Sequence, residues 1–175
     1  MKTFDVIALG ELNVDLILNR IAGFPEVGKE IFARDMICTL GSSTAIFAAN
    51  VSALGARTAF AGMIGRDAFG ELVRGSLEAR GVDTRYVIEA ADRATGVTVV
   101  MSYGEDRANV TYPGAMEALR FADLDPEIFL SARHIHLSSL FMQPGLLADI
   151  VPILRAVHDG GATVSLDTQW DPAEE

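Results

Sequence analysis

Short apolar runs closed by glycine alternate along this chain with stretches of helical periodicity, and that alternation predicts an α/β fold. Asp5-Val6-Ile7-Ala8-Leu9-Gly10 reads as a central strand covered on both faces. Beyond it Glu11, Asn13 and Asp15 alternate with Leu12, Val14 and Leu16, so an extended backbone points the three polar side chains to one face. Phe24-Pro25-Glu26-Val27-Gly28 is a turn, and Ile31 to Leu40 has the mixed spacing of a half-exposed strand outside the main sheet. Gly41-Ser42-Ser43-Thr44 offers small residues and hydroxyl caps to a helix over Ala45 to Leu54, which Gly55 ends.

The second half of the pattern repeats the alternation with one interruption. Thr58 to Gly62 is a strand, and Asp67 caps a helix whose inner face carries Phe69, Leu72, Val73, Ser76 and Leu77 before Gly81 stops it. Gly96 to Tyr103 and Ala108 to Tyr112 flank a polar Gly104-Glu105-Asp106-Arg107 tip, the signature of a β-hairpin. His134 to Ser138, a helix from about Pro144 to His158, and Thr163 to Asp167 close the chain as strand, helix and strand. Pro152 kinks or restarts that helix, because it has no N–H to donate. The whole is expected to be one unit: a mostly parallel sheet flanked by helices. Residues 14–40 and 96–112 are left over as a small β-lid above the carboxyl ends of its strands.

Composition narrows the function. Half of the 175 residues are apolar, which suits a packed domain. No apolar run approaches the roughly 20 residues of a membrane-spanning helix, so no membrane partner and a cytoplasmic location are expected. A formal charge of −10 with no basic patch argues against nucleic acid and favours a small neutral ligand. Cys38 is the only cysteine, so neither a disulfide nor a cysteine-based metal cage can form within the chain, and a buried core position is expected for it.

Candidate chemistry gathers at the carboxyl ends of the strands, where Asn13, Asp15, Gly41 to Thr44, Ser138, Ser139 and Asp167 are expected to cluster. A carboxylate and an amide on one face can grip vicinal hydroxyls, since a hydroxyl both donates and accepts; the same residues also suit a turn after a strand. Gly41-Ser42-Ser43 likewise fits either a ligand's close approach to a helix start or ordinary capping. His134 and His136 share a strand face without a third ligand at metal spacing. Glu105-Asp106-Arg107 reads as a solvated hairpin tip, and Trp170 and Phe141 as core residues or stacking surfaces for a ring.

Taken in order, these segments resemble the ribokinase-like, or PfkB, carbohydrate kinases over the whole length. Gly10-Glu11-Leu12-Asn13-Val14-Asp15 is similar to that family's first-strand motif, whose Asp contacts sugar hydroxyls, and Phe24 to Glu30 to its lid-entry turn. Leu40-Gly41-Ser42-Ser43-Thr44 through Gly55 resembles its first signature, and Gly62 to Gly70 the strand-helix segment after it; Gly81 to Thr84, Thr95-Gly96-Val97, Gly114-Ala115 and Ser165-Leu166-Asp167 follow in family order.

The resemblance implies a phosphotransferase acting on a sugar or nucleoside-like acceptor, with Asn13, Asp15, Gly41, Ser42 and Ser43 binding that acceptor. ATP and Mg²⁺ would serve the complete enzyme. Two departures stand out. The signature normally has a Gly-Gly pair and, four residues after the second glycine, an Asn, where this chain has Gly41-Ser42 and Ile46. The family's second signature, an Asp-Thr-x-Gly-Ala-Gly-Asp-like run with the anion hole and the Asp base, has no counterpart after Asp167. The C-terminal half of the fold is therefore expected to be absent, with no catalytic, ATP-binding or metal-binding residue assigned to residues 1–175. The isolated chain would be inactive. The alternative is a non-catalytic ligand-binding or dimerisation module, a homodimer pairing through the lid.

Overall fold

A computed structural model describes residues 2–171 and 173. In chain order the elements are β1 Phe4–Leu9, β2 Asn13–Asn19, β3 Asp35–Leu40, α1 Ser43–Ala53, β4 Thr58–Gly65, α2 Ala68–Glu78, β5 Asp83–Ala90, β6 Gly96–Tyr103 and β7 Asp106–Tyr112. After 3₁₀ turns at Gly114–Ala118 and Phe121–Asp123 come α3 Glu127–Ser131, β8 Ala132–Ser138, a further 3₁₀ turn at Leu140–Met142, α4 Pro144–Ala148, α5 Ile150–Asp159 and β9 Thr163–Asp167.

Five strands form the main sheet in the order β5-β4-β1-β8-β9, every neighbouring pair parallel. Both its faces are covered, which is why β1 and β4 read as unbroken apolar runs. Ile7 and Leu9 of β1 pack with Ile135, Leu146, Ile153 and Val157 under α4 and α5. Ala8 faces the other way, onto Ala45 and Ala48 of α1 and Val73 and Leu77 of α2. Each fully buried Leu or Ile of these layers contributes about 1.5–3 kcal/mol of burial. The alanines on the inner face of α1 let that helix lie close to the sheet, and its N-terminus is thereby brought to the end of β1.

A second sheet, in the order β3-β2-β6-β7, is built from the two extended segments that the apolar pattern left outside the main sheet. Its β2–β6 pair is parallel and the other two pairs are antiparallel. Val14 and Leu40 are buried in the main core and fasten this sheet to the end of β1.

Several boundaries differ from the sequence reading, each for a physical reason. β5 was not expected, because Asp83, Arg85 and Glu89 make the segment look polar; these charges lie on its outer positions, while Thr84, Tyr86 and Val87 are buried. The helix expected from Pro144 to His158 is two helices that meet at Asp149. Pro152 has no N–H for the carbonyl four residues earlier, and the chain restarts its helix there. Cys38 is half-buried on β3 rather than a core residue. Residues 31–34 precede β3 instead of belonging to it, and α1 starts at Ser43, two residues early. None of the helices among the described residues is long and apolar enough to cross a membrane.

Candidate functional site

The exit of β1, the first residues of β2, the start of α1 and the turn after β8 converge beneath the β6–β7 hairpin around a cavity of about 390 Å³. Glu11, Asn13, Asp15, Ser42 and Ser43 line one wall of it. The alternation read from the sequence is preserved, since β2 carries its odd-numbered side chains Asn13, Asp15 and Ile17 to this wall. Thr98, Asn109 and Thr111 of the hairpin face them, and Ile46, Val100 and Met142 supply apolar surface.

The Asn13 side chain is held by its own neighbours. Its Nδ2 donates to Thr98 Oγ1 at 2.8 Å and to Asp15 Oδ1 at 3.3 Å, and Thr98 Oγ1 is 3.0 Å from Thr111 Oγ1. This ladder ties β2 to β6 and β7 across the cavity. Asp15 is half-buried, and the loss of water pushes its carboxyl above the usual aspartate range; the Asn13 amide and the positive charge of Arg107 partly offset that rise. Arg107 was expected on a solvated tip. It sits on β7, opposite Ser102, and its side chain reaches the cavity wall.

Gly41 takes part through what it lacks. A Cβ built on it would lie 2.8 Å from Asp15 Cγ and 3.0 Å from Asn13 Nδ2, so any other residue would displace both polar groups. Ser42, next in the chain, is the N-cap of α1 with φ 70°, a backbone region glycine occupies without strain. Its hydroxyl donates to the Glu11 carbonyl at 2.7 Å and accepts from the Ala45 N–H at 2.9 Å, which holds that conformation.

At the base of this wall is Glu11, which the sequence places on the same face as Asn13 and Asp15 without a role. Glu11 is 4% exposed, and among the described residues its carboxylate has no cation as a hydrogen-bond partner. Oε1 accepts from Ser43 Oγ at 2.9 Å and from the Thr44 N–H at 3.2 Å; Oε2 accepts from Thr44 Oγ1 and from Gln143 Nε2 at 3.3 Å. The free N–H groups and partial positive charge of the α1 N-terminus replace water as its solvent. Gln143 Nε2 also donates to the carbonyls of Ser138 and Ser139, at 2.9 and 3.2 Å, and so holds the turn after β8.

The other candidates separate from this site. Asp167 pairs with Ser138 in the main sheet, but its carboxylate accepts from Gln169 rather than lining the cavity. His134 and His136 bond the hydroxyls of Thr163 and Ser165, and the His136 ring stacks on Phe47 at 3.8 Å. Burial lowers the pKa of both histidines. Phe141 and Trp170 line an adjoining cavity of about 540 Å³, which shares Ser139 and Met142 with the first. Among the described residues no three His, Cys, Asp or Glu side chains are placed to hold a metal ion. Arg107 is the one cation on the cavity wall among them. With one cation and no cluster of metal ligands, these described residues do not fit a metal–triphosphate group.

Over residues 3–175 the chain matches the model of the pfkB family carbohydrate kinases. It belongs to that family. It is 29% identical over 136 residues to a nucleoside kinase of Methanothermobacter thermautotrophicus, covering 77% of this chain and 44% of that one. With fructokinase-2 of Solanum habrochaites it shares 26% identity over 182 residues, covering 97% of this chain and 53% of the relative. A fructokinase from Xylella fastidiosa with bound ATP superposes with a TM-score of 0.80 at 24% identity, over 98% of this chain and 54% of its own. A PfkB protein from Polaromonas gives 0.83 at 22%, over 97% and 57%. This pfkB chain therefore has the ribokinase-like α/β fold and spans about half the length of the relatives it matches.

Within this pfkB chain, Asp15 gives a pH test of the site. A carboxyl whose folded pKa is raised contributes most to stability below its unfolded value, about 3.9, and that contribution is lost as pH rises through the folded pKa. Asp15→Asn, which keeps an acceptor for Asn13, is therefore expected to be more stable than the parent at pH 7, the gap closing toward pH 4. Urea melts at the two pH values check this. A variant less stable than the parent at pH 7 would contradict the cost of burying the Asp15 carboxylate.

Proposed function

We propose that this chain binds and orients the hydroxyl-bearing acceptor, a sugar or nucleoside, of an ATP-dependent kinase, with the β3-β2-β6-β7 sheet as a lid over it. The observation that carries the reading is the Asp15 carboxylate held beside the Asn13 amide in space that only a glycine at position 41 leaves open. A half-buried carboxylate accepts two hydroxyl protons from a polyol, and the amide oxygen of Asn13 adds a neighbouring acceptor. Ser42 and Ser43 stand at the helix start beside them, and the apolar surface of Ile46, Val100 and Met142 suits the C–H faces of a sugar ring or a nucleoside. The names of the relatives, fructokinases and a nucleoside kinase, support the same two acceptor classes.

ATP with Mg²⁺ supplies the phosphoryl group in such kinases, and this chain's part is to hold the acceptor and exclude water from it. Neither an anion hole nor a general base is assigned among residues 1–175, and a cytoplasmic enzyme is the setting that fits. With ATP and Mg²⁺, the chain is expected to release no ADP in response to D-fructose, D-ribose or adenosine, yet to bind at least one of them. Asp15→Ala should weaken that binding about 30- to 1,000-fold, about 2–4 kcal/mol for the two charged hydrogen bonds lost. Acceptor-dependent turnover would refute the division of labour, and unchanged binding by the variant would refute the role of Asp15.

A second reading, a module that pairs with its own copy, is favoured by the free edge of the small sheet. β3 is an edge strand, and Met36 and Ile37 on it, with Phe32 just before it, are 64%, 49% and 78% exposed. An open edge with apolar side chains is a template for strand pairing. Light scattering at micromolar concentration is expected to give the mass of a dimer, which Met36→Lys converts to a monomer; a monomeric parent chain would contradict it.

A further inference from the structure

The buried carboxylate and the cavity are joined by hydroxyls whose donor and acceptor roles are fixed by counting protons. Thr44 N–H donates to Glu11 Oε1 and Gln143 Nε2 to Oε2, and a nitrogen of either kind can only donate. Ser43 Oγ, 2.9 Å from Oε1, has a single proton, and the carboxylate takes it. Ser43 Oγ also lies 2.7 Å from Ser138 Oγ and 2.8 Å from Ser139 Oγ. Having spent its proton, Ser43 can only accept from both, and its two lone pairs are then filled.

Ser139 is the member of this chain of hydroxyls that lines both cavities. Its backbone is in the left-handed region, φ 51° and ψ 42°, and its N–H donates to the Asp167 carbonyl at 3.0 Å, so the direction of its side chain is set from two sides. Its hydroxyl proton points at Ser43. Among the described residues it has no other hydrogen-bond partner, and two lone pairs are left toward the cavity.

We infer that Glu11 is a positioning residue that orders the Ser43–Ser138–Ser139 hydroxyls, so that Ser139 meets the ligand as a hydrogen-bond acceptor only. Resting on the acceptor-binding reading above, this makes the site selective for a group that donates at that point, a hydroxyl or an amine. A carbonyl, ether or fluorine in the same place meets lone pairs. A serine free to rotate would accept either kind of ligand, so the selectivity belongs to Glu11 and not to Ser139 alone.

Neutron diffraction on ligand-free, deuterium-exchanged crystals of the chain reads the proton order directly. The Ser43 deuteron is expected on the line to Glu11 Oε1, and those of Ser138 and Ser139 on Ser43 Oγ. A Ser139 deuteron directed into the cavity, or a Ser43 deuteron on either neighbouring serine, overturns the inference. This result does not depend on which ligand binds; failure of D-fructose, D-ribose and adenosine alike to bind would instead remove the acceptor-binding reading. For the one that binds, calorimetric titration of its monodeoxy and monofluoro analogues is expected to show one position where both lose about 5- to 10-fold, the worth of a neutral hydrogen bond. In Ser43→Ala, where Ser139 is free to donate, the fluoro analogue at that position should bind better than the deoxy one. Fluoro analogues that match the parent ligand at every position in the unaltered chain would overturn the inference as well.

Discussion

A buried carboxylate without a cation is the constraint on which the rest of this structure depends. Moving an ionised Glu11 out of water costs several kcal/mol unless donors replace the lost hydration. Four donors do so, and they come from two distant parts of the chain: the first turn of α1, and Gln143 beyond β8. Satisfying one side chain therefore locks the exit of the central strand to a helix start and to a neighbouring strand's exit. Gly10 is part of the same arrangement, since a Cβ there would lie 2.8 Å from Thr44 Oγ1. An apolar residue at position 11 would have covered the core at lower cost. The carboxylate instead gives the cavity floor one geometry and one order of protons.

The small sheet continues this logic outward. Only one residue separates Glu11 from the start of β2, so the strand that carries Asn13 and Asp15 inherits its position from the Glu11 network. The Asn13–Thr98–Thr111 ladder passes that position on to the hairpin. The sheet is thus aligned with the cavity floor at one end and free at the other, where Phe32, Met36 and Ile37 lie exposed. The two proposed roles, covering an acceptor and pairing with a second copy, would use different parts of this sheet, its cavity face for one and the β3 edge for the other.

Most of the fold was legible because both sheets are written in alternation and the helices in caps and glycine stops. β9 runs over the residues expected of it, and Asp67 caps α2 as its position suggested. What escaped the reading depends on contacts between distant segments. β5 was hidden by charges that point to solvent, and the break at Asp149 lay three residues before the proline that causes it. At the site, Asn13, Asp15, Ser42 and Ser43 do share a wall, and Gly41 stands behind Asp15. Glu11 was visible as a third polar residue on that face, yet nothing local announces that Gln143, 132 residues away, completes its shell. Arg107 looked like a tip residue because the register of β7 against β6, which carries it back over the cavity, is not set by its neighbours in sequence.

We propose that a polyol is held against Asn13, Asp15 and Ser139, with Glu11 fixing the shape of that wall through Ser43. Mapping amide shifts of the ¹⁵N-labelled chain during titration with D-fructose, D-ribose and adenosine tests that claim most directly. The account predicts that the bound ligand's perturbations concentrate on residues 13–15, 41–44, 98, 111 and 139. Perturbations centred elsewhere, or saturable binding that leaves Asp15 and Gly41 unmoved, would contradict it.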